Sequence, residues 1–325
     1  MNSININEEQ SLIHKPKRWK KILASIFITL FVLIIVVLSV IPHLIMKDMV
    51  NMHVDFKEMY SAEDFGITSQ KLKLKTEDGL NITAYEVDTA NPKAIVIFIS
   101  GIHNPSVTAF FGHAEMLKKN GYGSILLEMR AHGESEGNLV CVGYKEYLDT
   151  KAVVDYITNR YKDVPIVVCG VSMGGATAIN SMGEIKEIDG LISLSAYSSF
   201  EDNFYDIMLK MGAPKAYAVI QRPFIKLYTM LRYGLKSANI TPKNEIKKIG
   251  NRPALIIHST QDSQVPYSNF ERIMKEAPKH VETWVKEGDH HFILDNDDYF
   301  LNPEKDKEYS QHILKFLNDN FRNYI

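Results

Sequence analysis

Continuous apolar runs recur along this chain, with AIVIFIS at Ala94–Ser100 the clearest. Similar runs lie at Ser124–Met129, Pro165–Gly170, Leu191–Ser195 and Ala254–Ser259, and a last strand is predicted at Val281–Lys286. A run apolar at every position suits a strand buried on both faces, as in a parallel sheet. Between the runs lie helical patterns, near Ser106–Asn120, Tyr144–Arg160, Met173–Met182, Ser268–Ala277 and Lys305–Asn320. In the second of these, Tyr147, Leu148, Val154 and Ile157 keep helical spacing. Ahead of them all, Lys71–Thr76 and Leu80–Val87 alternate apolar with polar around Glu77-Asp78-Gly79, which predicts a hairpin. This order predicts a three-layer α/β domain over 71–325 with a mostly parallel sheet.

The rhythm breaks between Ser195 and Ala254. That stretch holds YDIMLKMG, AYAVIQRPFIKLYTMLRYGL and a polar exit, and it is too long for a bare loop. It is apolar and rich in aromatics and methionine. It reads as a helical cap insertion at about 200–250, over the carboxyl ends of the strands, where open α/β sheets bind ligands.

A different pattern stands at the start. Ile22 to Ile41 carries no charge and is interrupted only by Ser25, Thr29 and Ser39. At ~1.5 Å per residue it spans about 30 Å, the thickness of a hydrocarbon core. Pro42 is a place for such a helix to end. A cleaved signal peptide would have a shorter apolar core and a small-residue cleavage site, and Ser39-Val40-Ile41-Pro42-His43 offers none. The expectation is an uncleaved transmembrane helix over 22–41, with a polar, partly helical connector over 47–70. Residues 1–21 form a basic tail, with Lys15, Lys17, Arg18, Lys20 and Lys21 set against Glu8 and Glu9. That bias predicts a cytoplasmic N-terminus and an extracytoplasmic domain.

Composition narrows the classes. The chain has 325 residues, of which 45% are apolar and 23% charged, a globular profile. A net charge of −2 argues against nucleic acid as a partner. Cys141 and Cys169 alone exclude a disulfide scaffold and a cysteine-based zinc site.

The candidate chemistry starts from a serine. G-x-S-x-G occurs twice. Gly133-Glu134-Ser135-Glu136-Gly137 has no helix after it, and its two glutamates would oppose a developing oxyanion, so it reads as a loop. Gly170-Val171-Ser172-Met173-Gly174 follows the strand PIVVC and precedes the helical stretch ATAINSM. That strand–turn–helix context is what a nucleophile elbow requires. A serine needs a base, and the base needs an orienting acid. On such a scaffold the acid and then the histidine follow the serine. Asp262, just past a buried strand, is the acid candidate, with Glu201 and Asp202 weaker ones. His290 is the base candidate and His291 the alternative, both in the loop after the last strand. The backbone N–H groups of Met173 and Ile102 are the expected oxyanion donors, and His103 can face the pocket.

These residues together resemble the alpha/beta-hydrolase superfamily, and are similar to its single-domain esterases and its lysophospholipase-like and cinnamoyl-esterase-like hydrolases. The matching pieces run from Thr76-Glu77-Asp78-Gly79 to the C-terminus. They include Arg130-Ala131-His132-Gly133-Glu134-Ser135-Glu136-Gly137, Gly170–Gly175, the Asp262-x-x-Val265-Pro266 turn and Gly288-Asp289-His290-His291-Phe292. The resemblance implies that the first of these is structural. It also favours His290, because a histidine two residues before an aromatic is common in the family. One departure is Ser100-Gly101 where the family often has His-Gly.

The expectation is a membrane-anchored serine hydrolase that cleaves carboxylic esters, lipid or acyl esters among them, through Ser172, His290 and Asp262. It would need no metal or organic cofactor and no nucleic acid. Acyl transfer, thioester or peptide cleavage on the same residues, and a non-catalytic binding protein on this fold, are the alternatives.

Overall fold

The computed structural model describes residues 18–103 and 105–322; residues 1–17 of the basic tail and Asn104 lie outside the described residues. The apolar runs form one eight-stranded sheet: β1 (Gln70–Lys75), β2 (Asn81–Val87), β3 (Ile95–Ile99), β4 (Gly123–Leu127), β5 (Ile166–Val171), β6 (Gly190–Leu194), β7 (Ala254–Ser259) and β8 (Glu282–Lys286). Their spatial order is β1-β2-β4-β3-β5-β6-β7-β8. The β1–β2 hairpin and the β2–β4 pair are antiparallel, and every later pair is parallel. Period-two geometry divides each strand between two cores. In β3, Ile95, Ile97 and Ile99 enter one core while Val96 and Phe98 enter the other. This is the expected three-layer architecture, the alpha/beta-hydrolase fold.

Helices cover both faces: α2 (Phe111–Lys119), α3 (Tyr147–Arg160), α4 (Met173–Glu184), α8 (Ser268–Glu276) and α9 (Lys307–Phe321). The long β6–β7 connection contains α5 (Phe200–Lys210), α6 (Lys215–Tyr233) and the short α7 (Pro242–Glu245).

The N-terminal helix α1 spans Arg18–Val50 and is long and apolar enough to cross a membrane. It does not stop at Pro42 as the sequence suggests. Pro42, Met46 and Val50 are buried, and α1 packs on α6 there. That packing offsets the backbone hydrogen bond a proline removes. The connector is therefore helical as far as Val50, with only a further 3-10 turn at Ala62–Phe65.

Beyond α1 the connector is fastened to the 130–137 loop. Val54 N–H donates to Ala131 O at 2.7 Å, and Gly133 N–H donates to Val54 O at 3.0 Å. His53 sets Nδ1 2.9 Å from Gly137 O and Nε2 2.8 Å from Gly133 O. Only an imidazolium can donate to both carbonyls. Burial lowers the proton affinity of His53, but the two carbonyls and the Asp55 and Glu128 carboxylates raise it, and the net shift is upward. A value raised on folding contributes stability below the ordinary histidine range, and that stability is lost as pH rises through the raised value. The thermal midpoint of the wild type minus that of His53→Gln is expected to be largest near about pH 5.5 and to shrink towards about pH 8.5. A difference that widened with pH would reverse this assignment.

The same loop holds the first G-x-S-x-G. Ser135 is buried, donates to Glu128 O at 2.6 Å and accepts from Thr83 N–H at 2.8 Å. It is a loop serine that ties β2 to β4. Arg130 is buried beside it and bonds both Asp78, in the hairpin turn, and Asp149, in α3.

Candidate active site

The sheet order reverses direction between β3 and β5, because α2 leads to β4 on one side of β3 and α3 returns the chain to β5 on the other. The loops beyond these two strands diverge and leave a crevice. Ser172 stands there, between the last residue of β5 and the first of α4. Its φ of 59° lies in the left-handed region, costly for a non-glycine residue. The turn is held by Ser172 N–H donating to Leu194 O at 2.9 Å. The bend also brings the start of α4 onto β3, where a Cβ on Gly174 would collide with the carbonyl oxygens of Ile99 and Ser100. Glycine at that position lets the elbow close. Met173 opens α4, so its N–H is one of the donors that a helix start leaves unbonded within the helix.

Ser172 opens into a cavity of about 320 Å³ lined by Gly101, Ile102, His103, Ser172, Gln264, His291 and Phe292. The loop after β3 thus lies against the serine, as the sequence suggests. A ring nitrogen of buried His132 is 2.9 Å from Ile102 O, which holds that peptide in place.

Asp262 follows β7 and is fully fixed. Its Oδ1 accepts the N–H groups of Gln264 and Val265, each at 2.8 Å. Its carboxylate receives His291 Nδ1 at 2.9 Å to Oδ2 and 3.1 Å to Oδ1. Burial works to raise the Asp262 carboxyl, but His291, Val265 N–H and His258 together hold it below the usual aspartate value. The carboxylate is therefore ionised and can fix the ring that faces it.

His290, the first choice by sequence, is not the ring that meets Asp262. Its Nδ1 is 2.9 Å from Leu294 O and its backbone N–H donates to Ser259 Oγ at 3.2 Å. The two rings take different partners around the turn that ends at Ile293, the His290 ring at Leu294 O and the His291 ring at Asp262. The structure brings the alternative, His291, to Asp262 and to the cavity that Ser172 lines. No hydrogen bond from the Ser172 hydroxyl is formed among the described residues; such contacts often tighten only with substrate bound.

The weaker acid candidates have other partners. Asp202 is buried between Arg222 and Lys243, and Glu201 accepts from Tyr144 O–H at 2.7 Å. Asp202 thus ties α5 to α6 and α7 within the 200–250 segment, and Glu201 fastens that segment to the body through Tyr144. None of the residues lining the cavity comes from that segment, although Lys210 reaches the rim and donates to Ser263 O at 2.9 Å.

Sequence reasoning missed two neighbours. His258 is buried on β7, with Nε2 2.8 Å from Val265 O and 3.8 Å from Asp262 Oδ2. Burial pushes its proton affinity below the ordinary histidine value, against the raising influence of the Val265 carbonyl and Asp262. It thus packs beside the Asp262 carboxylate. Gln264 lines the cavity two residues after Asp262. The spacing to Asp262 was the only available signal for either.

The family described as "Serine aminopeptidase, S33" matches residues 90–247. YqkD of Bacillus subtilis, described as uncharacterized, is 23% identical over 248 residues, covering 74% of this chain and 76% of that protein. The mouse phospholipase ABHD3 is 28% identical over 138 residues, 38% of this chain and 33% of that protein. Among solved structures, the Pyrococcus furiosus esterase Pf2001 is 25% identical with a TM-score of 0.62, covering 84% of this chain and 98% of that one. With the sheet order and the turn that presents Ser172, these likenesses lead to one conclusion: the chain has the alpha/beta-hydrolase fold and is similar to hydrolases built on it.

Proposed function

We propose that this chain is a membrane-anchored serine hydrolase that cleaves carboxylic esters, with Ser172, His291 and Asp262 as its catalytic residues. The observation that carries the reading is the bonded Asp262–His291 pair opening on the same cavity as Ser172. Ser172 Oγ attacks the ester carbonyl while His291 Nε2 takes its proton. Asp262 keeps the other ring nitrogen protonated and stabilises the imidazolium that forms. The N–H groups of Met173 and Ile102 receive the oxyanion. His291 then protonates the departing alkoxide, an acyl-enzyme remains on Ser172, and water releases it by the same route.

An ester with an apolar acyl group suits the lining. Ile102 and Phe292 are apolar walls, and Phe292 also borders a second cavity of about 260 Å³ lined by Tyr60, Pro105, Ala109, Phe300 and Leu301, with Asp297 and Asp298 at its edge. The esterase and phospholipase names among the similar proteins support that substrate class. An aminopeptidase must hold a substrate ammonium, and no carboxylate lines the Ser172 cavity among the described residues. The anchor is α1, whose segment Ile22–Ile34 is exposed and uncharged, with Ser25 and Thr29 its polar residues. The basic residues before it support a reading with the N-terminus in the cytoplasm and the domain on the other side.

A fluorophosphonate probe is expected to label the folded full-length chain at Ser172, with labelling lost in Ser172→Ala and retained in Ser135→Ala. Labelling that survives Ser172→Ala would remove the proposal.

A further inference from the structure

We propose that the outward face of α6 is seated in the headgroup region of an anionic lipid bilayer. The proposal rests on the reading of α1 as a membrane anchor and adds a second contact with the same membrane. Helix α6 is amphipathic in an unusual sense. Its inward face buries Ala218, Gln221, Ile225, Tyr228, Thr229 and Tyr233. Its outward face is apolar as well, with Tyr217, Val219, Ile220, Leu227 and Leu231 exposed, and Leu235 continues the stripe. Leu231 is 80% exposed and Leu235 66%, far more than packing against the body would leave. Met211, at the α5–α6 turn, is 82% exposed. A helix facing water places polar residues there, whereas a contiguous apolar stripe marks a contact surface.

Charge identifies the occupant. Between Met211 and Asn244 there is no aspartate or glutamate, while Lys215, Arg222, Lys226, Arg232, Lys236 and Lys243 are all cationic. Arg222, Lys226 and Lys243 turn inward to Asp202 and Glu201. Lys215, Arg232 and Lys236 are exposed beside the stripe and make no ion pair among the described residues. An apolar stripe edged by lysine and arginine matches the acyl–headgroup boundary of an anionic leaflet.

Position supports the same occupant. Helix α6 packs along the end of α1. The His43 ring lies 6.0 Å from the Tyr228 ring, and Arg232 bonds Asn51. The order of these two contacts points the N-terminal half of α6 back toward the apolar stretch of α1, where Leu38 and Ile41 are partly covered. The stripe therefore begins beside the level at which α1 leaves the hydrocarbon. Lys210, just before Met211, touches the loop that carries Gln264 at the cavity wall, so a seated α6 brings the cavity rim near the lipid.

The test uses the full-length chain, whose own Cys141 and Cys169 are buried. Single variants Leu231→Cys, Phe31→Cys and Glu308→Cys carry an environment-sensitive fluorophore. They are reconstituted in phosphatidylcholine vesicles with and without phosphatidylserine, and quenched by nitroxide-bearing lipid. The expected result is a blue-shifted, quenched probe at Leu231, stronger with phosphatidylserine and weakened in the background Lys215→Gln, Arg232→Gln and Lys236→Gln. Phe31 should be quenched in all cases and Glu308 in none. A quenched Phe31 probe with a water-exposed Leu231 probe overturns the inference and leaves the anchor standing. A Leu231 probe shielded only by energy transfer to another labelled chain, with no lipid quenching, overturns it in favour of a second copy. Loss of quenching at both Phe31 and Leu231 removes the anchor reading and the inference together.

Discussion

Replacing His291 with alanine is expected to lower kcat/KM on a short soluble ester by about a thousandfold to ten-thousandfold, while His290→Ala stays within about threefold of wild type. The two rings are adjacent in sequence but differ in what they touch. His291 Nδ1 is held by the ionised Asp262, which leaves Nε2 to face the cavity that Ser172 lines. His290 spends its Nδ1 on the Leu294 carbonyl. A thousandfold loss corresponds to about 4 kcal/mol of transition-state stabilisation, which only a group acting on the reacting atoms supplies. Asp262→Asn should cause a comparable loss, because the amide cannot hold the imidazole with the same proton or balance its charge. Thermal midpoints of all three variants should be measured beside the rates, since Asp262 also accepts two backbone N–H groups. A reversed ranking, with His290→Ala inactive and His291→Ala active, would return the role to His290.

Arg130→Ala is expected to destabilise the domain by about 3–5 kcal/mol, the usual cost of leaving a buried partner charge unpaired. Asp149 is fully buried and takes Arg130 Nη2 at 2.8 Å, Arg130 Nε at 3.0 Å and the Arg130 backbone N–H at 2.8 Å. The same guanidinium reaches Asp78, at 2.7 Å and 3.0 Å, and so locks the β1–β2 turn to α3. Removing it strands the Asp149 carboxylate without water. Thermal unfolding of the detergent-solubilised full-length chain reads this as a fall in midpoint of roughly 10 °C. The double variant Arg130→Met with Asp149→Leu should recover much of the loss, because it removes both buried charges. A midpoint within a degree or two of wild type for Arg130→Ala would show that the network is not a structural lock.

The fold was legible because its signals are local. AIVIFIS and PIVVC have no polar face to offer to water, so they become central strands wherever they lie in the chain. The turn at Ser172 was legible for a similar reason. A strand that ends in Gly-x-Ser-x-Gly and runs directly into a helix has few ways to bend, and a side chain on Gly174 would block the one seen here. Even the separation of the two G-x-S-x-G copies needed only their flanking residues, and Ser135 is indeed buried in a loop.

Other features depended on what the chain meets after folding. Pro42 signals a helix end to the sequence, yet α1 continues because Met46 and Val50 find a surface on which to pack. The choice between His290 and His291 is a matter of which ring the turn after β8 aims at β7, across 29 residues of sequence. No local pattern carries that information, since both residues have the same chemistry and neighbouring positions. Short-range sterics and the burial of contiguous apolar side chains make the strands, the turn at Ser172, the turn that holds Asp262 and the apolar span readable from the residues alone. Which imidazole meets Asp262, and the exposed outer face of α6, emerge only once the chain has folded, because both depend on the relative placement of elements distant in the chain.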